Sequence, residues 1–278
     1  MKQISREELN EMLVQHELWL NNKGGEQLNL ENVDLRDFYL RYADLRYANL
    51  NNADLRYANL NNVDLRYADL RYANLRNADL RNVDLKYANL RNANLEWANL
   101  NNADLRYANL NNVDLRNVDL EYANLRNADL EWANLNNANL RNANLEWANL
   151  NNANLRNANL EYVETNHLTI GYHLACPEEG SFIGYKKANE CLVKLLILED
   201  SKRSSATSMK CRCDKAKVLD IIDLKTSEKI DEVTSDYDSN FVYKVGEIVQ
   251  VYDFDEDRWN ECVTGIHFFM NKENAINY

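Results

Sequence analysis

Residues 26–170 contain neither glycine nor proline, and the whole chain of 278 residues holds one proline, Pro177, and seven glycines. So long a segment without either residue has to make every change of direction with ordinary L-residues in allowed conformations. Cysteine is missing from the same segment. The five thiols (Cys176, Cys191, Cys211, Cys213, Cys262) all lie beyond it, and an odd number argues against a disulfide framework and for a reducing compartment. No apolar run is long enough to cross a membrane; even residues 192–198 are interrupted by Lys194. None follows Met1 as a signal peptide would, so the expected location is the cytoplasm. Neither a phosphate loop nor a dinucleotide fingerprint is present, which removes the commonest nucleotide-dependent enzyme classes.

What the segment does contain is a leucine at every fifth position from Leu30 to Leu160, twenty-seven consecutive units without a miss. Two residues before each leucine stands an apolar residue, nearly always Ala or Val, and between the two lies Asp or Asn in every unit except the one with Tyr39. A five-residue step on an α-helix turns by about 140°, which would scatter the leucines around the axis, so a continuous helix is excluded. In a unit such as Val63-Asp64-Leu65 the apolar, polar, apolar alternation sends two side chains to one face of a short strand, and Arg66-Tyr67 must then turn the chain. Repetition of this unit predicts coils stacked at about 4.8 Å, with a leucine interior and a polar skin, of the parallel β-helix kind.

Ala43-Asp44-Leu45-Arg46-Tyr47 is one clean copy of A(D/N)LXX, and the segment thereby resembles the pentapeptide repeat family over 135 of the 278 residues. The resemblance implies four units per coil and a right-handed, square-sectioned β-helix, here about 32 Å long. The predicted fold is accordingly mainly β. Residues 1–25 form an N-terminal capping helix and linker, residues 26–170 the pentapeptide β-helix, and residues 171–278 a small α+β domain.

Residues 4–20 read as the cap helix, with Ser5 as N-cap, Glu8 as its capping-box partner, Ile4 and Leu9 as a staple, and an apolar stripe through Leu9, Met12, Leu13, His16, Trp19 and Leu20. Gly24-Gly25 release the chain into the repeat. In the C-terminal part, strands are expected at residues 182–186, 191–198, 216–222, 241–251 and 265–270, with a helix from Lys272 towards Tyr278. Several of its segments, among them Lys210-Cys211-Arg212 and Cys262-Val263-Thr264-Gly265-Ile266-His267-Phe268-Phe269, resemble the domain appended to pentapeptide repeat proteins of phages and large viruses, which implies a viral or prophage setting and carries no activity over.

The net charge of −12 invites a reading as a mimic of DNA, but only −3 of it falls within residues 26–160. If residues twenty apart stack, one side carries three columns: Asp44, Asp64, Asp84 and Asp104; Arg46, Arg66, Lys86 and Arg106; Tyr47, Tyr67, Tyr87 and Tyr107. The basic and aromatic columns are the candidate partner-binding face. The bland alternative is that they satisfy one another on a solvated surface. Residues 131–145 and 146–160 are identical, an offset of three units, so the chain has grown without regard to faces.

No catalytic, cofactor or metal site is expected. Cys211 and Cys213, with Cys262 and His267, lack zinc-site spacing and read as core residues. The acids Asp253, Asp255, Glu256 and Asp257 lack the pattern of a calcium loop. The bases from Lys202 to Lys217 alternate with acids. The glycine-aromatic segment at Gly265 and the terminal Tyr278 faintly resemble ADP-ribosyltransferases, but no acidic residue follows.

The expected function is therefore that of a non-enzymatic binding or scaffold protein with a protein partner, in the host cytoplasm if viral. It would have no membrane association and no direct nucleic-acid binding. The alternative is a DNA mimic that binds gyrase or topoisomerase IV, as some family members do. The partner and the oligomeric state stay open, an end-to-end homodimer included.

Overall fold

The computed structural model describes all 278 residues and is mainly β. It divides into two compact units, Met1–Tyr172 and His173–Tyr278.

The first unit begins with strand β1 (Lys2–Gln3) and helix α1 (Arg6–Leu20). The helix begins directly after the expected N-cap: Ser5 is extended and accepts the Glu8 N–H at 3.0 Å. Of the expected stripe, Leu9 and His16 are buried and Met12, Leu13, Trp19 and Leu20 are half-buried. Gly25 is required where it stands: its φ is +77°, and a Cβ there would fall 2.2 Å from the Gln15 carbonyl oxygen. Strand β2 (Val33–Asp34) runs parallel to β1, with Lys2 opposite Val33.

From Asn29 on, the residue between the two apolar positions of each unit bridges in parallel to its counterpart twenty residues later: Asp44 to Asp64, Asp64 to Asp84, Asp84 to Asp104 and so on to Asn144 and Glu164. The last rung is one residue longer, pairing Asn149 with Ile170. A twenty-residue register is four pentapeptides, so each rung is made of four minimal strands. The leucines from Leu30 to Leu155 are all buried, and Leu160, at the end, is half-buried. The residue two before each leucine is buried in nearly every unit, which confirms the inward pair.

Each corner is a β-turn closed by a backbone bond such as Ala68 N–H to Leu65 C=O, at 3.1 Å. Its third residue has a left-handed φ throughout, +59° at Asn62, +61° at Tyr67 and +63° at Trp97. Asparagine suits that conformation; tyrosine and tryptophan take it at a cost of about 1 kcal/mol each. That cost is offset because the same N–H is used across rungs, Tyr67 donating to the Lys86 carbonyl at 3.1 Å.

The near-constant Asp or Asn ahead of the leucine, Tyr39 excepted, has a cause the period alone did not reveal. The side-chain oxygen accepts the backbone N–H of the first corner residue, as Asp64 Oδ1 does from Arg66 at 3.1 Å and Asn94 Oδ1 from Glu96 at 2.9 Å. Asp and Asn carry their oxygen at the reach that closes this ring; an aliphatic side chain has no acceptor to offer.

The second unit is a sheet of seven strands in the order β10-β7-β4-β3-β11-β6-β5, antiparallel throughout. They are β3 (Phe182–Ala188), β4 (Cys191–Ile197), β5 (Arg203–Ser205), β6 (Lys210–Cys213), β7 (Lys215–Asp223), β10 (Ile248–Gln250) and β11 (Ile266–Phe269). A separate hairpin joins β8 (Glu232–Thr234) and β9 (Val242–Lys244), and helix α2 (Lys272–Asn277) ends the chain. Val193, Leu195, Ile197, Val218, Ile221 and Phe268 form the main core; Leu192, Phe269 and Ala275 form a second, smaller cluster that includes α2.

Two expectations need correction. Residues 241–251 are two strands rather than one, because Gly246, at φ +89°, turns the chain between β9 and β10. Strands β5, β6 and β8 were not anticipated; each is short and rich in polar residues, so no alternation announced it.

Candidate functional site

The three columns expected from the twenty-residue step are present. Tyr47, Tyr67, Tyr87 and Tyr107 stack ring on ring, with centroids 5.0, 4.9 and 4.9 Å apart and planes within 5° of parallel. The spacing is that of adjacent β-rungs, so the backbone ladder itself sets the stacking distance. Trp19 of α1 meets the first ring edge-on at 6.2 Å and stacks on His16 at 5.6 Å, which extends the aromatic line onto the helix. The four tyrosines nevertheless stay 44 to 49% exposed.

Beside them the charges form a continuous zipper. Arg46 lies 2.6 Å from Asp44 and 3.6 Å from Asp64 in the next rung. Arg66 repeats this with Asp64 at 2.5 Å and Asp84 at 3.6 Å, and Lys86 with Asp84 at 2.8 Å and Asp104 at 3.4 Å. Arg106 closes it on Asp104 at 2.7 Å. Burial works against ionisation at Asp44 and Asp104, but the hydrogen bonds from Arg46 and Arg106 outweigh it and hold both carboxyls below the ordinary aspartate range. The hydrogen bond to Asp44 in turn raises the Arg46 guanidinium. Four acids and four bases thus neutralise one another, and the basic column is not a free positive stripe.

The identical fifteen-residue copies differ in surroundings, as a three-unit offset on a four-unit rung requires. Trp132 is 57% exposed, whereas Trp147 is half-buried under the Arg126 guanidinium, 4.0 Å from its ring.

In the second unit the Cys176 and Cys211 thiols are hydrogen-bonded to each other beside Cys213, but no metal cluster results. Cys211 and Cys213 are buried on β6 opposite Phe268 and Ile266, Cys262 is exposed, and no group of three or more His, Cys, Asp or Glu is placed to hold a metal ion. The acidic stretch is a self-capped loop: Asp255 accepts the Asp257 N–H at 2.9 Å, and Asn260 donates to both at 3.2 Å. Nor do the bases from Lys202 to Lys217 form one patch. Lys202 pairs with Glu256 and Lys215 with Asp200 at 2.7 Å. Arg203 donates to the carbonyls of Gly180, Leu198, Glu199 and Ser201. Arg212 is buried and donates to the Asp255, Asp257 and Thr264 carbonyls. His267 lines a cavity with Lys186, Lys210 and Tyr278, a grouping the sequence did not signal because the four come from separate elements.

A parallel ladder of five-residue units with leucine inside defines a repeat protein of the β-helix type. Family comparison agrees: a pentapeptide repeat model matches residues 26–56, 58–96, 98–137 and 138–164, and this part of the chain belongs to the pentapeptide repeat family. Residues 172–275 match a family of unknown function, DUF5758. No curated protein matches the chain.

Solved structures similar to it include HetL, a pentapeptide repeat protein involved in heterocyst differentiation regulation from Nostoc sp. strain PCC 7120. That match has 32% identity and covers 50% of this chain and 81% of HetL, with a TM-score of 0.22. Rfr23 from Cyanothece 51142 matches at 26% identity, covering 58% and 97% of the two chains, with a TM-score of 0.26. QnrB1, a plasmid-mediated fluoroquinolone resistance protein, matches at 14% identity, covering 50% and 90%, with a TM-score of 0.24. No helix is long and apolar enough to cross a membrane.

Proposed function

We propose that the chain is a non-enzymatic protein-binding scaffold whose partner lies along Tyr47, Tyr67, Tyr87 and Tyr107 and the flanking Arg46, Arg66, Lys86 and Arg106. The observation that carries this reading is the half-exposed tyrosine stack. Its rings are already held by their neighbours, so a partner gains a rigid aromatic strip with little further loss of side-chain freedom. The zipper beside it is internally neutral, which favours a protein surface over a free polyanion.

The finer architecture belongs to the same proposal. Four units make one turn of a right-handed, square-sectioned β-helix. Residues 1–25 cap its open first turn, residues 26–170 are the repeat, and residues 171–278 are a distinct domain. The capping role is supported by Lys2 N–H bonding the Asn32 carbonyl at 2.8 Å and by His16 Nδ1 accepting the Leu28 N–H at 3.0 Å. We place the protein in the cytoplasm, that of the host if the chain is viral.

The test is comparative capture from cell lysate by the intact chain and by the Tyr67→Ala, Tyr87→Ala double variant. Proteins held by the intact chain should be lost with the variant while it stays folded; equal retention would refute the assignment of the face. Gyrase mimicry needs a surface of sustained negative potential, and a zipper of alternating sign does not supply it. Supercoiling by gyrase should be unaffected at about 1 μM protein, a level at which a specific complex would be well populated. Inhibition there would reverse the order of the two readings.

A further inference from the structure

The second unit holds a cavity of about 510 Å³, within the size range of small-molecule sites. Its walls combine the aromatic rings of Tyr243, Phe269 and Tyr278 with the ammonium groups of Lys186 and Lys210 and the imidazole of His267. Lys186 Nζ stands 5.9 Å from the centre of the Tyr243 ring, and Lys210 Nζ stands 5.2 Å from that of Tyr278 and 3.1 Å from its hydroxyl oxygen. Neither lysine forms an ion pair, in contrast to Lys202 and Lys215 on the same unit.

The acids nearest the cavity make their hydrogen bonds elsewhere, although the charges of Asp236 and Glu261 still favour the Lys186 and Lys210 ammonium groups from a distance. Asp236 accepts the Asn189 N–H at 2.8 Å, Asp238 accepts the Asn240 N–H at 2.9 Å, and Glu261 is bound by Ser208. Lys187, also on the wall, is the exception among the bases, pairing with Glu190 at 3.6 Å.

Two cations with no carboxylate in ion-pair range, set among aromatic faces in a concave space, are the complement of a planar anion. We propose that this cavity binds a small planar aromatic or heteroaromatic compound bearing one anionic group, a phosphate or a carboxylate, with the ring between the tyrosines and the anion at Lys186 and Lys210. Two further features agree. Burial, with Lys210 and Lys186 nearby, pushes the His267 imidazole down to about 4, so the ring is neutral at pH 7 and adds no competing charge. Its buried Nε2 has no hydrogen-bond partner within the protein, which leaves a polar atom for a ligand to satisfy. Burial also lowers the Lys186 ammonium, with Asp236 opposing, whereas Lys210 is raised against its burial by the Tyr278 hydroxyl and the Glu261 charge and stays a full cation at pH 7.

The test uses the intact protein and its own reporter. Cys262 lines the cavity, 3.5 Å from Lys210 Nζ, and is exposed, while the other four cysteines are buried. Its alkylation by iodoacetamide is followed in the presence of adenosine 5′-monophosphate or 2-naphthoate, with adenosine, 2-naphthol and inorganic phosphate as partial probes. At least one of the two anions should protect Cys262 with half-effect below about 1 mM, about tenfold better than its neutral or ring-free counterparts. Lys186→Met should weaken that protection by about tenfold and Lys186→Arg should largely restore it. No protection by either anion, or equal protection by the neutral compounds, would overturn the proposal. So would undiminished protection in a folded Lys186→Met. Should that variant fail to fold, the wild-type series decides the matter alone.

Discussion

Leu65, Leu85 and Leu105 occupy equivalent places in successive rungs, whereas Arg212 in the second unit is the one fully buried guanidinium of the chain. In the repeat the information lies in a pattern, and a pattern tolerates copying, as the duplicated residues 131–145 and 146–160 show. In the second unit it lies in particular pairings: one guanidinium gathers the Asp255, Asp257 and Thr264 carbonyls, and one cavity collects two unpaired lysines. The difference also separates two kinds of charge. Along the repeat every base of the tyrosine face is paired within its own rung, and all but Arg106 across rungs as well, while Lys186 and Lys210 at the cavity have no carboxylate in ion-pair range.

The comparison can be broken most forcefully in the middle of the ladder. Leu85→Ala should cost about 3 kcal/mol, read by urea unfolding, because the rungs on both sides prevent the cavity from collapsing. Leu160→Ala, half-buried at the end, should cost about 1 kcal/mol. Equal losses at the two sites would deny the ladder its internal and terminal positions.

Next in size, Arg212→Met should remove about 2 kcal/mol from the second unit by leaving buried carbonyls without a donor, and should leave the melting of the repeat unchanged. A single shared shift of both transitions in calorimetry would mean the units do not behave separately.

The double variant Tyr67→Ala, Tyr87→Ala removes three stacking contacts and should lower stability by about 1–2 kcal/mol while the far-ultraviolet spectrum stays that of the wild type. Loss of the folded state would place those rings inside.

Acid should act on the repeat by a further small step. Asp34, Asp44 and Asp104 titrate lower in the folded chain than in an unfolded one, chiefly through arginine hydrogen bonds working against burial. Their contribution is therefore complete above the ordinary aspartate value of about 3.9 and is lost as pH falls below it. For Asp34 the loss runs down to about 2. The melting temperature of the repeat should drop by a few degrees between about pH 4 and pH 2. Least of all, Arg66→Gln, on a solvent-screened pair, should change stability by no more than about 0.5 kcal/mol.

The repeat was legible because a five-residue period admits one economical backbone, and the columns of Tyr47 and Arg46 followed once the step of twenty was supplied. Two of its features were not. The corner-capping by Asp64 and its equivalents depends on a side-chain oxygen meeting an amide two residues on, which identity alone does not display. The left-handed corners at Tyr67 and Trp97 defy the preference that made Asn look natural there; the ladder imposes the conformation on whatever residue occupies it. In the second unit the long strands β4 and β7 were visible from apolar content, but β5 and β6 are short and polar and exist because their neighbours in the sheet pair with them. The cavity was illegible for a plainer reason: Lys186, Lys210, His267 and Tyr278 are spread over 93 residues and meet only after the sheet has formed.

The central claim is that residues twenty apart are neighbours, and it can be tested by chemistry alone. In a Cys262→Ser background, cysteines replacing Tyr67 and Tyr87 would sit on adjacent rungs at about 5 Å between backbones, within the reach of a disulfide. Cysteines at Tyr67 and Asn77 would sit on different sides of the rung. Mild oxidation should close the first pair readily and leave the second open; closure of the second pair in preference to the first would contradict the twenty-residue register.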